Sequence, residues 1–107
     1  MVYIITISNY PSHVASTVAK RYLESLQKYP PDPSLGETIV PSAIERTEDG
    51  IQAIGITEVK KGKLEEALER SQNVASMFND LEGFEGSIKV HMTASEALAT
   101  IGMKIPE

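Results

Sequence analysis

Apolar and polar residues alternate along this chain with two periods, and the switches between them mark out its elements. Tyr3-Ile4-Ile5-Thr6-Ile7 is a β-branched and aromatic run closed by Asn9-Tyr10-Pro11-Ser12, which predicts a strand buried on at least one face. Pro11 and Ser12 then open a helix, with Ser12 as the candidate N-cap. Val14, Ala15, Val18, Ala19, Tyr22, Leu23 and Leu26 recur at helical spacing. Lys20, Arg21, Glu24 and Lys28 fall on the other side. The prolines of Tyr29-Pro30-Pro31-Asp32-Pro33 end that helix, and a loop runs through Gly36.

From Glu37 to Val59 the period returns to two, with Glu48-Asp49-Gly50 near the middle. Asp-Gly between runs rich in Ile, Val and Ala is a hairpin signal. Strand alternation puts Ile44, Arg46, Ile51, Ala53 and Gly55 on one face, and Ala43, Glu45, Gln52, Ile54 and Ile56 on the other. Both faces are largely apolar. Pro41, inside the first arm, predicts an edge strand or a bulge there. Gly62 and Lys63 lead into a second helix, with Leu64, Ala67, Leu68, Val74, Ala75, Phe78 and Leu81 along one stripe, closed by Asp80-Leu81-Glu82-Gly83. Gly86 to Met92 alternates Ile88, Val90 and Met92 against Ser87, Lys89 and His91, which is a half-buried strand. Thr93-Ala94-Ser95-Glu96 has capping-box spacing and starts a short third helix toward Gly102.

The predicted fold class is therefore α+β, in the order β-α-β-β-α-β with a short helix appended. That order is the ferredoxin-like pattern, a four-stranded antiparallel sheet with two helices on one face. Its strands lie in the order 4-1-3-2, which puts the proline-bearing strand on an edge.

Composition narrows the rest. The 107 residues form a single domain, 1–107, with 41% hydrophobic and 23% charged residues, which excludes disorder. With no Cys there is no disulfide, no thiolate nucleophile and no Cys-ligated metal. The run Val2–Ile7 is too short to cross a bilayer, and nothing around it resembles a signal peptide, so no membrane partner is expected and the cytoplasm is the expected location. Ten Lys and Arg against fifteen Asp and Glu, for a net charge of -5, predict no nucleic-acid partner. The basic cluster Lys60-Lys61-Gly62-Lys63 is read as a solvated loop, since Glu65, Glu66 and Glu69 follow it.

A lone domain of this pattern covers one sheet face with helices and leaves the other bare. The hairpin is apolar on both faces, so a homodimer is expected to cover the bare one. In length, element order and two-faced hairpin, the chain resembles the dimeric α/β-barrel superfamily. Members include antibiotic-biosynthesis-monooxygenase-like, muconolactone-isomerase-like and stress-responsive barrel proteins. The resemblance implies two sheets packed face to face and a small, partly apolar organic ligand. It further implies cofactor-free oxygenase or isomerase chemistry, or a non-catalytic ligand-sensing or assembly module. Haem-degrading members use an Asn with a haem-ligating His and a nearby aromatic. Asn9 and two His are present and Trp is absent, so haem chemistry is not carried over and no cofactor is expected.

The side chains singled out for chemistry are few. His91 is the catalytic candidate, a neutral imidazole able to take a proton from a bound phenol or keto acid, with Lys89 steadying the anion. Its alternative is a sheet histidine at a dimer contact. Asn9, Tyr10 and His13 at the strand-to-helix corner, together with Lys89, are the ligand-binding candidates. Tyr3, Tyr10 and Tyr22 are read either as a pocket lining or as core. Arg46 is expected to pair with Glu48 rather than hold a ligand carboxylate. No ligand spacing around either His suggests a metal, and no nucleotide or nucleophile-elbow motif occurs.

Overall fold

The computed structural model describes residues 1–106. Its elements are β1 (Val2–Tyr10), α1 (Ala15–Lys28), β2 (Gly36–Thr47), β3 (Gly50–Val59), α2 (Leu64–Ser76), β4 (Glu85–Met92) and α3 (Ala94–Ala99). The strands form one four-stranded antiparallel sheet in the order β2-β3-β1-β4. This α+β arrangement of an open sheet and three helices is compatible with a ferredoxin-like fold.

The hairpin turns tightly. Thr47 pairs with Gly50, leaving Glu48 and Asp49 as the turn. Gly50 takes φ 136°, a region that side chains avoid, and a Cβ there would meet the Tyr10 carbonyl oxygen at 2.6 Å. The β2–β3 register shifts between Thr38 and Val40 and again between Val40 and Ala43, around Pro41. The proline lies on an edge strand, where its missing N–H breaks the ladder at little cost.

Register assigns the paired strand residues to faces. Ile4, Thr6, Ser8 and Tyr10 of β1 lie level with Thr57, Gly55, Ala53 and Ile51 of β3, on the side that the helices cover. Two clusters form beneath the helices. Tyr10, Val18, Ile51 and Phe78 bury one; Ile4, Val59 and Ala67 bury the other, with Ile88 packed against it. Tyr10, Phe84 and Phe78 stack in series, with ring centroids 5.8 and 5.0 Å apart.

Four helical expectations are corrected. The chain leaves β1 through a 3-10 turn at Ser12–Val14, so Pro11 rather than Ser12 holds the cap position, and no side chain caps it. The apolar stripe of α1 is narrower than its sequence suggests. Val14, Val18, Tyr22 and Ser25 face the sheet, whereas Ala19, Leu23 and Leu26 turn outward, Leu23 with 61% exposure. Arg21, expected on the outer side, instead lies at the α2 margin. It donates to the Met77 carbonyl at 2.7 Å and to both Asp80 carboxylate oxygens at 2.7 and 2.9 Å. That bidentate contact holds Asp80 down to a pKa of about 2. The α2 helix stops at Ser76, so Phe78 and Leu81 are delivered by the turns after it. At α3 the Thr93 hydroxyl accepts from the Glu96 N–H at 3.2 Å, as the spacing predicts.

Candidate functional site

The face of the sheet away from the helices is ordered in rows. Glu37, Glu58, Tyr3 and His91 lie side by side across β2, β3, β1 and β4. The next row is Val40, Ile56, Ile5 and Lys89, followed by Ala43, Ile54, Ile7 and Ser87. The last is Glu45, Gln52, Asn9 and Glu85. The middle of this face is therefore apolar, and both ends and the β4 side are polar. Tyr3, Ile5, Ile7, Val40, Ile54 and Ile56 are half-buried, and none of them belongs to either core cluster beneath the helices. This is the pattern of residues the hairpin spacing assigned to the second apolar face.

His91 stands at one end of this face. Its cross-strand neighbour is Tyr3, and Tyr3 has Glu58 on its other side. Directly opposed residues in antiparallel strands have Cβ atoms about 4.5–5.5 Å apart. Glu58, Tyr3 and His91 thus form a contiguous acid, phenol and imidazole, with Lys89 diagonal to Tyr3 in the adjoining row. Glu58 was not among the residues singled out from sequence. Only the β1–β3 register puts it beside Tyr3. His91 and Lys89 are exposed and make no side-chain hydrogen bond among the described residues. Among the described residues no partner fixes the imidazole's tautomer, which a committed general base ordinarily needs.

The remaining candidates lie elsewhere. Asn9 shares the open face with His91 but sits at the opposite end of β1, about 20 Å away at 3.3 Å per residue. There it accepts from Gln52 Nε2 at 3.3 Å. Tyr10 points to the helix side, where only 9% of its surface is exposed. Burial raises its phenol pKa, and the nearby Arg46 charge offsets part of that shift. Arg46 makes no ion pair with Glu48 among the described residues, because its place opposite Ile51 turns it toward Tyr10. His13 is exposed in the 3-10 turn. Tyr10 and Tyr22 are core, and Tyr3 alone of the three faces the open side. The structure groups His91 with Lys89 and Tyr3, and Asn9 with Gln52. It does not bring His91, Asn9, Tyr10 and His13 into one site.

Two shallow hollows are the best formed among the described residues. One, of about 350 Å³, lies where Asn9 and Gln52 meet the hairpin turn, and its rim carries Glu45, Asp49 and Glu85. The other, of about 460 Å³, lies between the proline loop and α2, where Arg70 donates to the Tyr29 and Pro30 carbonyls. Neither contains His91. No three His, Asp or Glu side chains gather as metal ligands among the described residues. Among the described residues no helix is long and apolar enough to cross a membrane.

No family model matches the chain, and no curated protein matches it. Among solved structures it is similar to a de novo designed protein, Foldit4, at 15% identity over 86% of this chain and 96% of that one, with a TM-score of 0.50. It is also similar to a formyltetrahydrofolate deformylase from Pseudomonas putida KT2440, at 10% identity over 83% of this chain and 28% of that one, with a TM-score of 0.46. At these identities the likeness concerns the path of the chain and carries no chemistry.

Proposed function

We propose that a second copy of the chain covers the open sheet face, and that the pair holds a small, partly apolar organic molecule carrying an acidic group. The ferredoxin-like βαββαβ topology and the dimeric α/β-barrel resemblance belong to the same proposal. The observation that carries it is the row pattern, an apolar centre of Ile5, Ile7, Ile54, Ile56 and Val40 with Lys89, His91 and Tyr3 at its margin. Four strands about 4.8 Å apart and about nine residues long give a face on the order of 550 Å² in plan. Side-chain relief raises the accessible area toward the roughly 800 Å² per partner of a standard interface. Within such a pair the apolar rows would meet a ligand's hydrocarbon part. The Lys89 ammonium and the His91 imidazole would meet its anionic end.

Binding is favoured over catalysis, because no orienting partner of His91 occurs among the described residues and the Asn9 corner lies at the far end of the strand. The runner-up, an assembly module with a dry sheet-to-sheet contact, draws on the same unsupported imidazole. Light scattering and anilinonaphthalene sulfonate, an aryl sulfonate probe, test the reading together. The expected result is a mass of at least twice 11.7 kDa and saturable probe binding, weakened severalfold in Lys89→Ala and His91→Ala. A monomer at high concentration overturns the reading. A dimer that leaves the probe dark, or binds it equally in both variants, selects the assembly module.

A further inference from the structure

A second surface of the molecule is poised for a copy of itself, and it is an edge rather than a face. The β4 strand pairs with β1 along its inner side through an unbroken register, from Met92 opposite Val2 to Glu85 opposite Asn9. Among the described residues no strand lies along its outer side. Seven of its eight residues are exposed, Ile88 alone being half-buried. Natural edges are usually blunted by proline, a bulge or a covering element. The opposite edge is blunted in that way, by Pro41 and the register shifts around it. The β4 strand contains no proline and no shift.

The side chains of β4 are ordered by charge. On the open face they run Glu85, Ser87, Lys89, His91, with the acid at one end and the bases at the other. We propose that β4 pairs with β4 of a second copy, antiparallel and centred on Ile88, which joins the two sheets edge to edge. A two-fold axis normal to the sheet keeps the helices of both copies on one side and fixes the partners. Ile88 then meets its own counterpart, Ser87 meets Lys89, and Glu85 meets His91, each of the last two twice by symmetry. Glu85 also lies diagonal to the other copy's Lys89. On the helix side, Val90, 43% exposed in one chain, falls opposite Gly86, whose missing side chain leaves room for it. The register centred on Lys89 instead opposes like charges and is disfavoured. This pairing does not depend on the face-covering proposal. Face-to-face packing leaves the two Ile88 side chains on opposite outer sides, so the same residue separates the two modes.

Because the chain has no native Cys, a single engineered thiol is a clean reporter. Opposed residues in an antiparallel pair have Cα atoms about 4.5–5.5 Å apart, within reach of a disulfide. Ile88→Cys is expected to cross-link to a covalent dimer under mild oxidation. Ile44→Cys, equally a strand residue but on the blunted edge, is expected to stay monomeric on a denaturing gel. Sedimentation equilibrium reads the charges in the Cys-free chain. Glu85→Lys is expected to weaken this association roughly tenfold, and Glu85→Lys with His91→Glu to restore it. Cross-linking at Ile44→Cys equal to that at Ile88→Cys, preferential cross-linking at Ser87→Cys, or a double charge swap no better than the single one each overturns the proposal.

Discussion

Ile4 and Ile5 are chain neighbours on a central strand, and their substitution separates what the helices bury from what the open face shelters. Ile4 is 3% exposed and packs with Val59, Ala67 and Ile88 beneath α2. Ile4→Ala removes three carbons, worth about 2.4 kcal/mol at about 0.8 kcal/mol per buried methylene. A cavity term is added because β1, held on both sides, cannot collapse into the space. The expected loss is about 3 kcal/mol, and at roughly 4 °C per kcal/mol for a domain of this size the melting temperature falls about 12 °C. That loss belongs to one chain and is the same at every protein concentration. Ile5→Ala removes the same atoms from a half-buried position. In an isolated chain it costs about 1 kcal/mol. If a second copy covers the face, its cost grows with concentration as the folded dimer is populated. Urea unfolding of both variants at two concentrations a hundredfold apart measures this. An Ile4→Ala loss below about 1 kcal/mol refutes the burial argument. An Ile5→Ala cost that does not change with concentration refutes the covered face.

Gly50→Ala places a Cβ 2.6 Å from the Tyr10 carbonyl oxygen and forces φ 136° on a residue with a side chain. The expected cost is about 2 kcal/mol or more, seen as a lower urea midpoint with an unchanged slope. The Asp80 carboxyl has its pKa lowered by Arg21 from 3.8 to about 2, so its contribution is whole above about pH 4 and lost as pH falls through 2. Thermal unfolding of the parent and Asp80→Asn should therefore converge between pH 5 and pH 2; a constant gap would sink that account. Thr93→Ala removes the acceptor of the Glu96 N–H and is expected to cost about 1 kcal/mol, read as faster amide exchange confined to α3.

The two faces of the hairpin were legible, though not which of two nearby registers closes it. Asp49-Gly50 announces the turn, and once the turn is placed, period two assigns Ile44 and Ile51 to one side and Ile54 and Ile56 to the other, as the register has them. The outward turn of Leu23 and Leu26 was not legible. An apolar stripe says which residues are able to face a sheet, while the sector that does so is chosen by tertiary partners such as Met77 and Asp80, which hold Arg21. Glu58 was missed for a related reason. Its chemistry comes from standing beside Tyr3, and strand neighbours from distant parts of the sequence leave no local trace. Asn9 and Tyr10 point to opposite faces of β1, as adjacent strand residues do, yet both line the hollow at the hairpin turn, while His13 and Lys89 do not.

Pro41 sets a limit on growth. A sheet whose two edges both accept a strand can recruit copies without end, and its natural product is a fibre. Here β2 is interrupted at Pro41, so only β4 offers an unbroken ladder. An edge that matches only itself is used up by one partner, and the outer strands of the joined sheet are then both β2. Whatever copies meet along β4, lateral addition stops at two, and the residue that enforces the stop lies on the opposite side of the sheet from the contact it limits.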